Sequence, residues 1–406
     1  MDTLTILNYQ GSKKNLLEFI HESLSEYIDD RDVILDIFSG TASVAYSYKK
    51  TNTVYANDAE LYASTVAKAL LGDRLEDNVI ANVELEYRKI ISSNAYQEWI
   101  SKEDLFIQEK KIEKLLELYD EIPTVWKTGK KQFDNIRYSL FVMYYSTSYF
   151  GIKQARDIDA IRQAIDLCGV GNCDILLSCL FFAMKECVFS KDGHMAQPLD
   201  LTKNATRLFK LRSKSIKEIF FEKLSDFCKE DFIQNGNVNK VFNCNFEELL
   251  TKKEIQEEVT VIYADPPYTD MQYSRYYHLL NTVVQYDYPD LTENAGGYTK
   301  GLYLENRFQS QLSKKSTCLN SMEKLIDFSF KHNKVLAISF AYPQNTDKQK
   351  TDRYVMDIDD LISSCKKYYS ADRVHVKNVK YEHSNNRNSE HKKVLEYLII
   401  CEREGR

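Results

Sequence analysis

The chain has 406 residues, a net charge of −6 and a composition that is 43% hydrophobic and 28% charged. Those values fit a globular protein with a sizeable core and room for two or three domains, and they exclude a fibrous or wholly disordered chain. They also exclude a globally basic nucleic-acid binder, so any such surface must be a local patch.

Nine cysteines, an odd number with no C-x-x-C pair, argue against a disulfide framework. The densest group, Cys168, Cys173, Cys179 and Cys187, matches no common zinc-ligand spacing, so buried free thiols and no metal are expected. The opening stretch MDTLTILNYQ lacks a basic region followed by a long apolar run, and no signal peptide is expected. The longest apolar run, ILLSCLFFAM, is too short to span a bilayer. The expected setting is a reducing, cytoplasmic compartment without membrane contact.

In chain order, NYQGSKKNLLEFI places Tyr9, Gly11 and Lys13 just before a helix that begins near Asn15. An apolar run, DVILDIF, predicts a buried strand that ends in Asp36, followed by a tight Ser39-Gly40-Thr41 turn and a helix from about Ala42. Small residues there let a ligand approach the backbone, and the helix N-terminus offers free N–H groups. The turn lacks the three glycines of the full dinucleotide fingerprint, so an ordinary strand-to-helix turn is the competing reading. The next strand, TVYAND, ends in Asn57-Asp58. An acid at that place can bind both hydroxyls of a ribose, or it can cap the helix ELYASTVAKALL that follows.

From about Leu75 to Asn239 the pattern is polar, helical and rich in Lys, Glu and Tyr, with no obvious buried strand. Three segments are therefore expected: a sheet domain's first part at 1–74, an inserted helical lobe at 75–239 and the sheet domain's second part at 240–406. Within the lobe, TKNATRLFKLRSKSIK carries Lys203, Arg207, Lys210, Arg212, Lys214 and Lys217 without an acid. It is either a phosphate track or a solvated helix face. YFGIKQARDIDAIRQAI adds Lys153, Gln154, Arg156 and Arg162, residue types that read base edges and also populate helix surfaces.

Strand-like runs resume at KVFNCN, TVIYAD and KVLAISF, and DRVHVKNVKY with KVLEYLIIC is expected to form a closing hairpin. Strand and helix alternate, which predicts an α/β class with a parallel sheet. The run TVIYAD leads into Asp265-Pro266-Pro267-Tyr268, two of the chain's six prolines side by side. Proline fixes φ and donates no hydrogen bond, so the Pro266 carbonyl is aimed by the turn. The Asp265 carboxylate and that carbonyl together can accept both hydrogens of an –NH2 group, and Tyr268 can lie flat on the ring that bears it. The competing reading is a rigid turn with a capping Asp.

Taken together, NYQGSK, DIFSGTASV, AND and DPPY, in this order, resemble the Dam-like DNA adenine methyltransferases. The later stretches YTKGLYLENRFQSQLSKKS and YEHSNNRN resemble larger members. The resemblance implies a Rossmann-like sheet that uses S-adenosylmethionine, with the inserted lobe as target-recognition domain. It carries Tyr9, Lys13, Asp36, Gly40, Asp58 and Asp265 onto cofactor positions. Asp265, Pro266 and Tyr268 fall on the target-amine positions. In VFNCNFEELL an Asp is expected before Phe246 to contact the cofactor's adenine; Asn245 stands there and can still accept a hydrogen bond.

The implied substrate is double-stranded DNA with a flipped adenine. Lys203, Arg207, Lys210, Arg212 and Arg156 are its candidate contacts, and a restriction endonuclease or defence-system subunit is its candidate partner. Attack on a cytosine ring carbon would want a cysteine nucleophile, and the chain has no Pro-Cys pair. Other planar amines (cytosine, RNA adenine, protein glutamine) stay open as acceptors, as does a non-catalytic DNA-binding relative.

Overall fold

The computed structural model describes residues 13–405 except 73–74, 76–77, 94, 130–137, 169–170, 172, 192–193, 230–235, 345, 347–350 and 383–392. The chain forms two compact units. The first comprises Met1–Gly72, Phe232–Gln272 and Phe308–Arg406; the second comprises Asp73–Asp231 and Tyr273–Arg307.

The first unit is an α/β sandwich built on a sheet of seven strands among the described residues. In chain order these are β1 (Val33–Asp36), β2 (Thr53–Asn57), β3 (Lys240–Phe242), β4 (Val261–Ala264), β5 (Val335–Pro343), β6 (Val374–Glu382) and β7 (Lys393–Cys401). All seven coincide with the strand-like runs of the sequence. Their spatial order is β3-β2-β1-β4-β5-β7-β6. The first five run parallel, while β7 lies antiparallel between β5 and β6, so the closing hairpin inserts its second strand into the sheet.

Burial explains the strand composition. Every residue of β4 and β5 is buried, as is expected of strands covered on both faces, where near-continuous apolar runs replace alternation. One face presents Leu35, Ile37, Ile262, Ala264, Leu336, Ile338 and Phe340. They pack in one core with Met322, Leu325 and Ile326 of helix Cys318–Lys331 and Leu361 and Cys365 of helix Ile358–Tyr368. Asp357 starts the latter helix, its side chain accepting from the Asp359 N–H. The period of two sends Asp36, Tyr263 and Ser339 to the opposite face, and Glu396, directly across from Ala341, goes with them. Helix Ser43–Tyr48 packs against β1 and β2, and helix Leu61–Leu71 against β2 and β3.

The second unit is mainly helical. Helix Ile152–Cys168 is buried along most of its length, and helix Cys173–Cys187, which contains the ILLSCLFFAM run, is a core helix. Among the described residues no helix is long and apolar enough to cross a membrane. Segment Tyr273–Arg307, which the sequence reading kept with the second sheet part, packs here. Helix His278–Gln285 buries Leu279, Leu280 and Val283, Arg162 Nε donates to the Val283 carbonyl at 2.8 Å, and the Tyr286 hydroxyl donates to Asp159. The chain thus leaves the sheet unit a second time directly after the Asp-Pro-Pro-Tyr turn.

Candidate active site

Strand order reverses direction between β1 and β4: from β1 the chain moves outward to β2 and β3, from β4 to β5. At such a point the loops beyond the carboxyl ends diverge and leave a crevice. The glycine turn and the Asp-Pro-Pro-Tyr turn follow these two strands. The Ile37 N–H still bonds the Tyr263 carbonyl at 3.1 Å, and the turn begins at once. Gly40 has φ 50° and Ala42 φ 55°, both left-handed, a conformation that glycine takes without cost. The Ser39 N–H donates to the Asn57 carbonyl at 2.9 Å, and the Gly40 N–H to Asp58 Oδ2 at 2.9 Å.

Asp36 lies buried beneath this turn. Its Oδ2 accepts the Ala45 N–H at 3.2 Å, in the first turn of helix Ser43–Tyr48. Burial pushes its carboxyl up to about 8, against the Ala45 hydrogen bond and with help from the charges of Asp265 and Asp58. Asp36 therefore supports the turn from below.

Asp58 accepts from Gly40 through one oxygen and from the Glu60 N–H, at 2.9 Å, through the other. The N-cap of helix Leu61–Leu71 is Glu60, so the capping alternative is replaced by a tie to the glycine turn. Burial raises the Asp58 carboxyl, opposed by the N–H groups of Glu60, Gly40 and Ala59. A carboxylate offers about four lone-pair sites, so three N–H donors leave about one for a ligand hydroxyl.

Its neighbour Asn57, which the sequence reading gave no role, is buried. Its Nδ2 donates to the carbonyls of Ile37 and Cys244, both at 3.2 Å, and its Oδ1 accepts the Cys244 N–H at 3.3 Å. One side chain thus joins the loops after β1 and β3 to the end of β2. Asn245 occupies the N-cap position of helix Phe246–Leu249 without a side-chain capping bond, and its Nδ2 donates to Glu247 Oε2 at 3.0 Å.

Beyond β4, Pro266 is buried and the side chain of Asp265 keeps 19% exposure. Lys13, which the resemblance carries onto a cofactor position, lies between two carboxylates of the protein. Its Nζ is 3.1 Å from Asp265 Oδ1 and 2.8 Å from Glu396 Oε1. Burial disfavours the ammonium, but Asp265 and Glu396 override it and hold Lys13 well above its ordinary value. Burial likewise raises the Asp265 carboxyl, to about 7; the Lys13 charge opposes this and Glu396 adds to it. Two ionised carboxylates sharing one ammonium leave the group with one net negative charge.

Tyr268 is held by backbone pairing: its carbonyl accepts the Val355 N–H at 3.2 Å, Thr269 bridges to Tyr354, and the Asp270 N–H donates to the Arg353 carbonyl at 3.1 Å. Its ring and that of Tyr354 lie 6.3 Å apart between centroids with planes within 24°. Phe340 meets Tyr268 edge-on at 6.2 Å, and Lys13 Nζ is 5.8 Å from its centroid. Tyr354 sits in TDRYVMD, a polar stretch with nothing in sequence to single it out.

In the second unit the candidate DNA contacts divide. Arg212 is buried, donating to Tyr119 Oη, Gln154 Oε1 and the carbonyls of Tyr149 and Ser148. Arg156 is also buried, its Nη2 bonding the Ile90 carbonyl at 3.0 Å and Ser93 Oγ at 2.8 Å. These two guanidiniums are used inside the lobe, which corrects the expectation of a phosphate contact: withdrawing Arg212 would leave buried acceptors unmet, and withdrawing Arg156 would break its bonds to Ile90 and Ser93. Arg207 is half-buried on the Ser190 carbonyl at 2.8 Å, and Lys214 pairs with Glu186 at 2.9 Å. Lys203 and Lys210 are exposed. Tyr9 and the HSNNRN stretch lie outside the described residues.

The chain matches the D12 class N6 adenine-specific DNA methyltransferase family over residues 9–339, and it belongs to that family. It is 25% identical over 404 residues to modification methylase StsI of Streptococcus sanguinis, covering 98% of this chain and 52% of the relative. It is 24% identical over 412 residues to modification methylase LlaI of Lactococcus lactis subsp. lactis, covering 97% and 54%. To the type II methyltransferase M.FokI of Planomicrobium okeanokoites it is 29% identical over 297 residues, 71% of this chain and 38% of the relative. The chain spans about half the length, or less, of these curated relatives.

Proposed function

We propose that this protein is a site-specific DNA methyltransferase that transfers a methyl group from S-adenosylmethionine to the exocyclic amine of a flipped adenine in double-stranded DNA. One observation carries the reading: a family-matched Asp-Pro-Pro-Tyr turn stands at the sheet's switch point, beside the glycine turn that is tied to Asp58.

The residues present fit the donor. Ser39 Oγ, in the glycine turn, is a buried polar atom without a hydrogen-bond partner among the described residues, and Asp58 keeps acceptor capacity for a ribose. Gly40 and Asp58 are its proposed holders, with Asn245 beside the adenine and Tyr9 from the N-terminal motif. Asp36 supports the turn. When bound, S-adenosylmethionine supplies an electrophilic methyl group on sulfur.

The protein's own work is acceptor positioning. An aromatic amine is a poor nucleophile because its lone pair is drawn into the ring. Accepting both N–H groups on Asp265 and the Pro266 carbonyl favours a pyramidal nitrogen whose lone pair is free to attack. Tyr268 stacks on the extruded base. No covalent enzyme intermediate is needed.

The second unit is the proposed target-recognition lobe, with Lys203, Lys210 and Arg207 as its phosphate contacts. The relatives named modification methylases support a partnership with a restriction endonuclease or another defence subunit. Free thiols at all nine cysteines support a cytoplasmic setting.

The test is transfer of label from S-adenosylmethionine to mixed-sequence unmethylated duplex, with wild type and Asp265→Ala in parallel. Methyladenine made by wild type alone is expected. Label absent from DNA in both, despite measurable donor binding, would reject the reading and direct attention to other planar amines.

A further inference from the structure

Glu396 is a charged residue in the interior of a sheet, with its side chain 1% exposed on β7. Such a group is retained only where it is paired and hydrogen-bonded. Glu396 Oε1 accepts from Lys13 Nζ at 2.8 Å and from Ser339 Oγ, on β5, at 2.6 Å. Lys13, 6% exposed, stands in the turn before the first helix and reaches Asp265 on its other side at 3.1 Å. Four side chains from four separate segments therefore form one buried chain: Ser339, Glu396, Lys13, Asp265. Only Asp265 opens toward solvent.

We infer that Glu396, anchored by Ser339, is a positioning residue that holds the Lys13 ammonium against Asp265 and thereby sets the charge with which Asp265 receives the target amine. The inference rests on the methyltransferase reading for its catalytic consequence, but not for its electrostatics.

Two opposed charges act on Asp265. Asp265 must be ionised to accept an N–H hydrogen bond through both oxygens. Lys13 favours that ionised form, whereas Glu396, also an anion, opposes it at longer range. Glu396 thus fixes the ammonium in place at the cost of a weaker effect on the carboxylate that it serves. Among the described residues, the other ionisable groups facing this cluster are Asp36 at the end of β1, Tyr263 on β4, Tyr268 in the turn and Tyr354. Burial holds the Tyr263 hydroxyl well above its ordinary value, so it stays neutral in the working range, and burial together with Glu396 raises Tyr354 as well.

The experiment follows the Asp265 carboxyl carbon by NMR on [4-13C]aspartate-labelled full-length protein, assigned with Asp265→Asn, without donor or DNA. Lys13→Met is expected to raise the midpoint of Asp265 by one to three units, roughly the influence of an adjacent cation. Glu396→Gln keeps an acceptor for Lys13 and Ser339 and removes only the charge, so it is expected to lower the midpoint. Opposite shifts support the inference; shifts of the same sign, or none from Glu396→Gln, would overturn it.

Should Lys13→Met fail to fold, the Lys13→Met, Glu396→Gln double variant removes both buried charges and serves in its place, with a midpoint expected above that of Glu396→Gln alone. A double variant at or below Glu396→Gln would also overturn the inference. In the methylation assay the acid limb of kcat should move with the NMR midpoint in each variant while KM for DNA stays within about twofold. Loss of wild-type methylation with the opposite NMR shifts intact would reject the enzyme reading and leave the electrostatic one standing.

Discussion

The backbone N–H of Gly40 donates to Oδ2 of Asp58 at 2.9 Å, across 18 positions of chain. The glycine turn and the acid at the end of the next strand are therefore one object: the carboxylate is oriented by the turn, and the turn is closed by the carboxylate. Asp58→Ala should accordingly do more than remove a hydroxyl contact. Donor affinity is expected to fall at least tenfold, and Asp58→Asn, which keeps an acceptor for Gly40, should recover part of it. Titration calorimetry with S-adenosylmethionine checks both.

Asp265 ionises near pH 7 in the donor-free protein because burial and Glu396 outweigh Lys13. The acceptor role needs the charged form, so kcat/KM should be full above about pH 8 and decline tenfold per unit well below the midpoint. A profile that is flat from pH 5 to 8 would contradict the assignment.

Asp36 governs stability in the other sense. Its folded value, about 8, lies above the ordinary 3.8, so the folded state holds a proton that the unfolded state has released. Between these values stability is expected to fall as pH rises, by on the order of 1 kcal/mol per unit from this group. Asp36→Asn should flatten that slope between pH 5 and 8 in thermal melts.

Asn57, itself buried, makes three hydrogen bonds between loops. Asn57→Ala leaves those carbonyl and amide groups unmet, and a loss of about 1–3 kcal/mol is expected in urea unfolding, together with weaker donor binding. Asn57→Asp should not rescue it, since a carboxylate cannot donate to the Ile37 and Cys244 carbonyls.

The basic residues of the second unit should separate by assay. Lys203→Ala and Lys210→Ala are expected to leave the melting temperature unchanged while each lowers the salt dependence of DNA binding by about one counterion. Arg212→Ala should destabilise the protein by about 2–4 kcal/mol, since buried acceptors lose a charged donor, and Arg156→Ala by less, since its acceptors are only partly buried. Equal salt slopes for all four variants would show that burial does not distinguish them.

Much of this molecule is legible without coordinates. Runs such as VILD, VIYA and VLAISFAYP announce strands because a sheet covered on both faces demands continuous apolar residues, and all seven runs became strands. The glycine turn, Asp58 and the Asp-Pro-Pro-Tyr turn stand out because each has a local backbone signature next to a strand end. Other facts depend on partners far away in the chain. Lys13 and Glu396 are 383 positions apart, and neither spacing nor composition says that they meet. Arg212 sits in a basic run that looks solvated, yet it turns inward because carbonyls at Ser148 and Tyr149 require a donor. Tyr273–Arg307 shows no compositional break, and only packing assigns it to the helical unit. Short-range sterics and periodicity are written along the chain; burial, and with it the charge state of every interior carboxylate, exists only once distant segments have met.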